Sequence, residues 1–383
     1  MCMNHSAVRQ FCLAGDGQKE GNYFMFKILV ANFGATSTKI SIFENEKMID
    51  ELVIRHSAEE MAAAPLNKDQ VELRARLIED LFKKQGMSIE DFDAVGMRAG
   101  GVTKAKKSGT YIVNEAMRED ALSLFKPDGE FLHGARIVLP TLEKLLEGKN
   151  IPIYVTDPPH IDELADEARL TGHKEFKKTM RYHCLNQKAV AREVAAELGK
   201  KYEEVNLIIA HMGGGVSVVA HQNGRMVEAP DCAEGSGPMS PERSGTLPVG
   251  EVIDKCFSGE FTKAEMRAMM RGKGGVYSYL GTADMREAEE MSENDAYADL
   301  IVRTFAYQIA REIGACYAAL CCKADAIVYT GGIAYSEKIC GLISERVSGM
   351  APIINKAGEK EADALALGAL RVLRKEEEIL IYQ

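Results

Sequence analysis

The sequence lacks the long apolar run that a membrane-spanning helix needs. Of its 383 residues 46% are hydrophobic, yet no segment of about 18 or more consecutive apolar residues occurs. It also lacks an excess of positive charge, because its net charge is −10 and its isoelectric point is about 5.5. Proteins that neutralise nucleic-acid phosphates need clustered lysine and arginine. We therefore expect no nucleic-acid partner, no membrane partner and a soluble, cytoplasmic protein.

Cysteine is present, but not in the spacings that bind zinc. The nine cysteines are scattered, and neither a Cys-x-x-Cys pair nor a Cys/His cluster occurs. Reduced thiols in a cytosolic protein are the simplest explanation. A Gly-Lys-Ser/Thr of the Walker type is also missing, which excludes a P-loop enzyme. Residues 1–26 lack the basic start and apolar core of a secretory signal, so we predict a disordered leader there.

Two segments share one unusual pattern. Lys27–Phe43 and Asn206–Ala220 each contain an apolar run of strand length, then Asn-x-Gly or His-x-Gly, then small residues and a second alternating strand. Residues without bulk let backbone N–H groups approach phosphate oxygens. Either hairpin alone is equally well read as an ordinary tight turn. Because Asn32 and His211 lie about half a chain apart, the pair predicts two similar lobes with a nucleotide between them.

Periodicity predicts the main elements between and after the hairpins. Helical spacing predicts helices over Asn67–Gln85, Gln187–Leu198, Tyr297–Lys323 and Ala362–Lys375. Short apolar runs predict strands over Asp93–Arg98, Ile151–Asp157 and Ala324–Ile333. Ala229–Gly250, rich in Gly, Pro and Ser, is predicted to be a long functional loop.

Eight motifs together resemble those of the butyrate kinases, which are short-chain acyl kinases of the acetate kinase group. These motifs are Asn32–Lys39, Gly109–Met117, Leu185–Arg192, His211–Ser217, Ser240–Gly245, Gly281–Asp284, Thr330–Ser336 and Ala364–Leu370. The resemblance covers nearly all of residues 27–373. Each motif alone is weak, whereas the set is highly specific.

The resemblance implies the fold and its division into domains. It implies an α/β protein with a duplicated ribonuclease H-like, or actin-like ATPase, fold of two domains and a nucleotide cleft between them. The expected boundaries are a first lobe over 27–158, completed by a C-terminal helix over about 368–383, and a second lobe with the nucleotide site over 159–367. At least a homodimer is also implied.

The resemblance further implies ATP-dependent phosphorylation of a short-chain fatty acid to an acyl phosphate, reversible to make ATP. The expected small-molecule partners are a nucleotide, ATP or ADP, and a carboxylate, with Mg²⁺ as the metal. Acetate, propionate and branched acids remain alternatives to butyrate, because one methylene gives only about 1–3 kcal/mol of discrimination. A non-catalytic actin-like or nucleotide-sensing protein is the alternative from another class.

Phosphoryl transfer to a carboxylate is chiefly an electrostatic problem, so cations should dominate the site. The resemblance assigns Arg98 and Arg243 to catalysis and to substrate binding, where guanidinium forks can hold carboxylate and phosphoryl oxygens. In isolation an arginine is usually a surface charge. His133 matches a family histidine near the acyl site, although its neighbours differ from the family pattern.

Histidine use separates the branches of the family. Acetate kinases carry a catalytic histidine four residues after the position of His183, and this chain has Gln187 there. We therefore expect His183 or His211 to take over the stabilisation of the transition state. A structural, hydrogen-bonded role is an alternative for His183.

The remaining expected site residues bind phosphate, nucleoside or metal. The nucleotide and phosphate set is Asn32, Gly34, Thr36, Ser37, Lys39, Gly213, Gly214, Gly215, Asp284, Arg286, Gly331 and Gly332. The metal set is Asp157 and Glu361, with Asp363 as the alternative to Glu361. Open alternatives are a helix cap for Asp157, a solvent-facing strand position for Lys39, plain turns for the glycines and a surface ion pair for Asp284 and Arg286.

Overall fold

The structure, a computed structural model, describes residues 24–34, 36–98, 100–105, 107–123, 125–131, 133–159, 161–178, 180–232 and 234–383. Most of the leader expected over residues 1–26 lies outside these residues. In the described part of the chain no helix combines the length and apolar content of a membrane span.

The described residues form twelve strands in two sheets. The strands are β1 Lys27–Phe33, β2 Ser37–Glu44, β3 Lys47–Arg55, β4 Ala94–Met97, β5 Thr110–Ile112, β6 Ile153–Thr156, β7 Asn206–Met212, β8 Val216–Gln222, β9 Arg225–Glu228, β10 Ala326–Gly331, β11 Ile353–Ala357 and β12 Leu380–Ile381.

Thirteen α-helices join these strands in the described chain. They are α1 Ala58–Ala63, α2 Asn67–Lys84, α3 Glu115–Leu122, α4 Val138–Leu145, α5 Asp166–Arg169, α6 Cys184–Glu197, α7 Val249–Phe257, α8 Lys263–Met270, α9 Gly275–Leu280, α10 Met285–Ser292, α11 Ala296–Ala319, α12 Glu337–Val347 and α13 Glu361–Leu373. Every helix and strand predicted from periodicity is present, with ends shifted by a few residues.

The two sheets repeat one strand arrangement. The first has the order β12-β5-β6-β4-β1-β2-β3 and the second β11-β10-β7-β8-β9. In each, an antiparallel meander (β1-β2-β3 or β7-β8-β9) is followed by parallel strands, β4 and β6 or β10 and β11. The duplication that the paired hairpins predict is therefore present in the strand order.

Both central strands are buried on two faces, which explains their continuous apolar sequences. In β1, Ile28 and Val30 pack against α13, whereas Leu29 and Ala31 face the cluster that contains α2 and α4. Residues of β7 divide in the same way between α6 and α11. Each lobe is thus a sheet between two helical layers.

Two helices cross between the lobes. Helix α6 follows β6 of the first sheet but packs its Val190 and Val194 on the second sheet. Helix α13 follows β11 of the second sheet but packs its Leu365 and Ala369 on the first. The two helices also contact each other. This exchange brings the N-terminus of α13 to the carboxyl ends of β1 and β4.

The second crossing differs from the boundary expected at 367/368. Helix α13 lies on the first sheet from its first turn, since Ala362 already belongs to that core cluster. At Gly368 the helix and β6 approach so closely that a Cβ would lie 2.0 Å from Oγ1 of Thr156. The chain therefore returns to the first lobe just before residue 361.

Candidate active site

The carboxyl ends of β1 and β4 meet the first turn of α13 in a three-residue contact. Nδ2 of Asn32 donates to Oε2 of Glu361 at 3.0 Å, and Nη1 of Arg98 donates to the same oxygen at 2.8 Å. The carboxylate is mostly buried, while the arginine side chain is 46% exposed. Three residues from distant parts of the sequence are thus joined where the lobes meet.

The first glycine turn lies beside this contact. The N–H of Gly34 donates to the carbonyl of Ser37 at 2.9 Å, which closes the turn between β1 and β2. Thr36 is exposed and Ser37 is half-buried. Lys39 points elsewhere: it lies on β2 and pairs with Glu51 of β3 at 2.9 Å. Its expected phosphate role has no support from this geometry, and the solvent-facing alternative describes its position.

His133 reaches the same turn from another loop. Its Nδ1 accepts from the N–H of Ala135 at 3.1 Å. The next residue packs directly on the first turn, since a Cβ on Gly134 would lie 2.2 Å from the carbonyl oxygen of Gly34. Burial and then the charge of Arg98 lower the pKa of His133. The imidazole of His133 therefore interacts electrostatically with Arg98.

The second glycine turn carries a stacked pair of histidines. The rings of His183 and His211 have centroids 4.0 Å apart and planes inclined by 22°. His211 lies at the end of β7 and is only 4% exposed. His183 is the residue before α6 and is half-buried. The pair thus joins the residue before α6 to a residue of β7.

Both rings are poor proton acceptors at neutral pH. Burial and then the charge of Arg243 lower the pKa of His211 to about 4. Burial, His211, Arg243 and Arg98 lower the pKa of His183 well below its ordinary value. Two neutral imidazoles can stack without the repulsion of two cations, and each still offers one N–H.

Arg243 approaches this turn from the long loop that precedes α7. A Cβ on Gly215 would lie 2.4 Å from Nη1 of Arg243 and 3.1 Å from Cε1 of His183, so glycine there permits the contact of all three. Nη1 donates weakly to the carbonyl of Cys232 at 3.4 Å. Nε is buried without a hydrogen-bond partner in the described chain. The guanidinium is therefore held in place with donor capacity to spare.

A cavity of about 1060 Å³ opens next to the second turn. It is lined by residues of the turn, of the segment around the start of α10 and of the 3₁₀ helix after β10, among them Gly213, Gly214, Asp284, Arg286, Gly332 and Tyr335. Its volume is at the upper end of ordinary ligand pockets. Gly331 does not line it. A Cβ there would lie 2.4 Å from the carbonyl oxygen of Met212, and its φ is 86°, so this glycine serves the packing of β10 on β7.

Asp284 and Arg286 bind each other at the edge of this cavity. Nη2 of Arg286 donates to Oδ2 of Asp284 at 2.7 Å, and Asp284 caps α10 through the N–H of Arg286. The Arg286 hydrogen bonds lower the pKa of Asp284 to about 2. Both side chains are largely exposed, so the pair is also the ion pair that the alternative described.

Comparison with known proteins shows which family this chain belongs to. Residues 152–352 match the model of the acetokinase family. Over 360 residues the chain is 42% identical to butyrate kinase 1 of Clostridium acetobutylicum, across 94% of this chain and 100% of that protein. The chain belongs to the acetokinase family. The resemblance to butyrate kinases that the motifs indicate is confirmed.

Solved structures of other acetokinases show the same fold. Acetate kinase from Porphyromonas gingivalis has a TM-score of 0.74 at 18% identity, over 91% of this chain and 100% of that one. A propionate kinase from Francisella tularensis subsp. tularensis has a TM-score of 0.67 at 18% identity, over 90% and 99%. At such identities the likeness shows the fold alone. The expected actin-like ATPase fold is confirmed.

The carboxylate of Asp157 is paired with an arginine and a backbone N–H group. Its carboxylate is 2% exposed. It accepts from Nη1 of Arg192 at 2.7 Å and from the N–H of Gly109 at 2.9 Å. Burial raises the pKa of Asp157, but the charge and hydrogen bond of Arg192 outweigh it, and the net shift is downward. Its metal role stays a prediction, and in this structure the carboxylate pairs with the half-buried Arg192.

Several residues of the site escape sequence reasoning. Tyr335 lines the cavity with 72% of its surface exposed, and Glu289 lies on the same wall. Tyr335 follows the paired glycines Gly331 and Gly332 by three residues, and this position in the sequence is what could have suggested a place in the site. Gln187 is fully buried between α6 and β8, and its partners become visible only in three dimensions.

Proposed function

We propose that this chain transfers the γ-phosphoryl group of ATP to the carboxylate of a short-chain fatty acid, giving an acyl phosphate and ADP, and that it also runs in reverse to make ATP. The proposed acid is butyrate. The observation that carries the proposal is the match to a butyrate kinase along nearly the whole chain. It is supported by the guanidinium and imidazole groups beside each glycine turn, Arg98 and His133 at the first and Arg243, His183 and His211 at the second.

The proposed chemistry needs donors rather than a general base. A carboxylate is already a nucleophile, so no proton has to be removed from it, and the difficulty is the negative charge on both reactants. In our proposal Arg98 and Arg243 hold the carboxylate and the transferring phosphoryl group in bidentate fashion. His133 lines the acyl side next to Arg98. His183 and His211 donate their N–H groups to phosphoryl oxygens.

The proposed nucleotide position extends from the second turn into the cavity. The backbone of Gly213–Gly215 receives the phosphates, helped from the first lobe by Asn32 and the turn that contains Gly34, Thr36 and Ser37. Asp284 and Arg286, with the turn at Gly331 and Gly332, lie on the nucleoside side. The exposed ring of Tyr335 offers a face on which a base can stack.

Mg²⁺ is proposed as the metal, with Glu361 as its protein ligand. No cluster of three or more His, Cys, Asp or Glu in the described residues is arranged to hold a metal ion. That agrees with Mg²⁺, which usually keeps several waters and binds one or two carboxylates plus substrate phosphates. The group would neutralise phosphate charge. Glu361 fits because Asn32 and Arg98 already orient its carboxylate at the meeting of the lobes.

The test is a hydroxamate assay, in which hydroxylamine traps acyl phosphate formed from ATP, Mg²⁺ and a series of acids. Acetate, propionate, butyrate, isobutyrate, valerate and isovalerate form the series. We expect a maximum of kcat/KM at butyrate. A maximum at acetate or propionate, or at a branched acid, would reassign the substrate within the family. No product with any acid, together with tight ATP binding, would favour a nucleotide-sensing protein.

Assembly and location remain proposals as well. We propose a homodimer or larger homo-oligomer in the cytoplasm, in line with the family resemblance. Sedimentation velocity of the purified chain measures the assembly, and a monomer at micromolar concentration would contradict it.

A further inference from the structure

A chain of buried polar side chains runs beneath the histidine pair. Oη of Tyr202 lies 2.8 Å from Nδ1 of His221, and Nε2 of His221 lies 3.0 Å from Oε1 of Gln187. Nε2 of Gln187 lies 3.3 Å from Oγ of Ser217, which lies 3.0 Å from Nδ1 of His183. The middle three side chains are completely buried. The direction in which each bond donates decides what His183 presents to the cleft.

The amide of Gln187 can be oriented without ambiguity. Its Nε2 also faces two backbone carbonyls, of Ile209 at 3.3 Å and of Ser217 at 3.1 Å, so the two hydrogens of the amide are shared among three acceptors. Carbonyls only accept hydrogen bonds, so the NH₂ side of the amide faces β7 and β8, and Oε1 faces His221. Because Oε1 also only accepts, Nε2 of His221 carries the proton. Its Nδ1 then accepts from the hydroxyl of Tyr202.

The same logic continues to the cleft. The hydroxyl of Ser217 has one proton, and Nε2 of Gln187 can only donate, so in the described chain Nδ1 of His183 is the partner that can accept that proton. Nδ1 is therefore an acceptor. A neutral imidazole has a single proton, which must lie on Nε2.

His211 is held in the same state by the neighbouring amide. Oδ1 of Asn186 accepts from the N–H of Lys360 at 2.8 Å, which turns its Nδ2 toward Nδ1 of His211 at 3.0 Å. The proton of His211 thus also lies on Nε2. A Cβ on Gly213 would lie 3.4 Å from that nitrogen, so this edge of the ring faces the glycine turn.

We propose that Asn186 and Gln187, adjacent amides in the first turn of α6, are positioning residues that lock both stacked imidazoles as Nε2–H donors aimed at phosphoryl oxygens. The catalytic value of this arrangement rests on the proposed function, whereas the tautomers do not. It also gives Gln187 a task at the position where acetate kinases carry a histidine. The side chain acts through Ser217 on His183 and does not touch the substrate.

The first experiment reads the tautomers directly in the full-length protein. Long-range proton–nitrogen correlation of ¹⁵N-histidine-labelled protein distinguishes Nε2–H from Nδ1–H rings, and His183→Gln and His211→Gln assign the two signals. We expect neutral Nε2–H rings for both at pH 7.5. An Nδ1–H tautomer or a charged ring at either position would overturn the inference, whether or not the protein phosphorylates an acid.

The second experiment removes the link between the amide and the ring. In Ser217→Ala we expect His183 to lose its single tautomer and kcat to fall about tenfold, the effect of one hydrogen bond, with the KM for ATP within about twofold. Ser217→Thr keeps the hydroxyl and should keep both the tautomer and kcat. Ser348→Ala, at an exposed position after α12, is the matched control.

The outcomes separate this inference from the proposed function. Nε2–H tautomers in a protein without acyl kinase activity would contradict the function and leave the donor chain standing. Full activity with a changed tautomer in Ser217→Ala would show that the lock has no catalytic role, and the inference would fail while the function stands.

Discussion

At the scale of single residues, Arg98 and Arg243 differ in the hydrogen-bond partners that they have within the protein. Arg98 has a carboxylate partner in Glu361 at 2.8 Å. Arg243 has a long contact to a carbonyl and a buried Nε with no partner in the described chain. An unpaired buried donor is costly unless a ligand satisfies it. The guanidinium of Arg243 can therefore still donate hydrogen bonds to an anionic ligand.

Arg243→Ala tests this role. We expect kcat for acyl phosphate formation to fall about 10²–10³-fold, the usual loss when one donor to a developing charge is removed. ATP affinity should change little, because most of the proposed nucleotide contacts come from the backbone of Gly213–Gly215 and from the cavity beside it. Arg243→Lys should not restore kcat, since an ammonium lacks the planar fork. Calorimetric ATP titration and steady-state kinetics measure both quantities.

Arg303→Ala is the control, because this exposed arginine pairs with Asp299 one turn away on α11, far along the chain from the glycine turns. Turnover of Arg243→Ala close to that of Arg303→Ala would remove Arg243 from the mechanism.

Some residues of the candidate site can be recognised from their neighbours in the sequence, whereas others depend on partners that are distant in the sequence. Gly213–Gly215 and His211 form a continuous motif next to a strand, so the sequence shows that they lie together at one turn. Asp157 also ends its predicted strand, yet its carboxylate turns to Arg192, 35 residues further along the chain. The direction of a side chain depends on partners that no spacing reveals. For Lys39, the sequence leaves a phosphate contact and a solvent-facing position open, and in the structure its ammonium pairs with Glu51.

At the scale of elements, a buried arginine supports the first glycine turn. Nη1 of Arg74 on α2 donates to the carbonyls of Gly34 at 3.2 Å and of Ser37 at 2.8 Å. Its guanidinium lies over the rings of Phe33 and Phe131. Burial lowers the pKa of Arg74 to about 10, so the group stays charged at neutral pH. The guanidinium thus satisfies two carbonyls of the turn.

Arg74→Ala should destabilise the protein by about 3 kcal/mol, because two carbonyls lose a buried donor and a cavity forms. Urea unfolding at pH 7.5 measures the change. Arg76→Ala on the exposed face of the same helix is the control and should stay within about 0.5 kcal/mol of the parent. Equal midpoints for the two variants would show that the turn does not depend on Arg74.

Elements themselves are largely predictable here, and their exchange between lobes is not. Periodicity predicts α13 nearly to its ends, because its apolar positions repeat with helical spacing. The same pattern fits packing on either sheet. That the helix lies on the first sheet from its first turn follows from the packing of Ala362 in that core, which appears only when both partners are placed.

At the scale of the whole molecule, the crossing helices connect the stability of the fold to the chemistry of the cleft. Helix α6 begins beside His183 and carries Gln187 and Lys188 into the second lobe, while α13 begins at Glu361 and closes the core of the first. Lys188 is itself fully buried and bonds Glu163 at 2.6 Å. Any loss of packing at this crossing would disturb both lobes and the site between them.

Buried histidines near this crossing predict how stability depends on pH. The folded-state pKa of His211 is about 4, lowered by burial and Arg243, against an ordinary value of 6.5. Below pH 6.5 the unfolded chain takes up a proton that the native state takes up only near pH 4, so stability is full above pH 6.5 and falls toward pH 4. For His211 the loss at pH 5 is about 2 kcal/mol.

His211→Gln should therefore lose less stability than the parent between pH 7.5 and pH 5, by about 2 kcal/mol, whatever its stability at pH 7.5. Urea unfolding at the two pH values gives the four free energies, and their double difference removes the contributions of other groups. His173→Gln, at an exposed position, should follow the parent. An identical pH slope in His211→Gln and the parent would mean that His211 takes up its proton in the folded state, and the neutral histidine pair of the cleft would then be wrong.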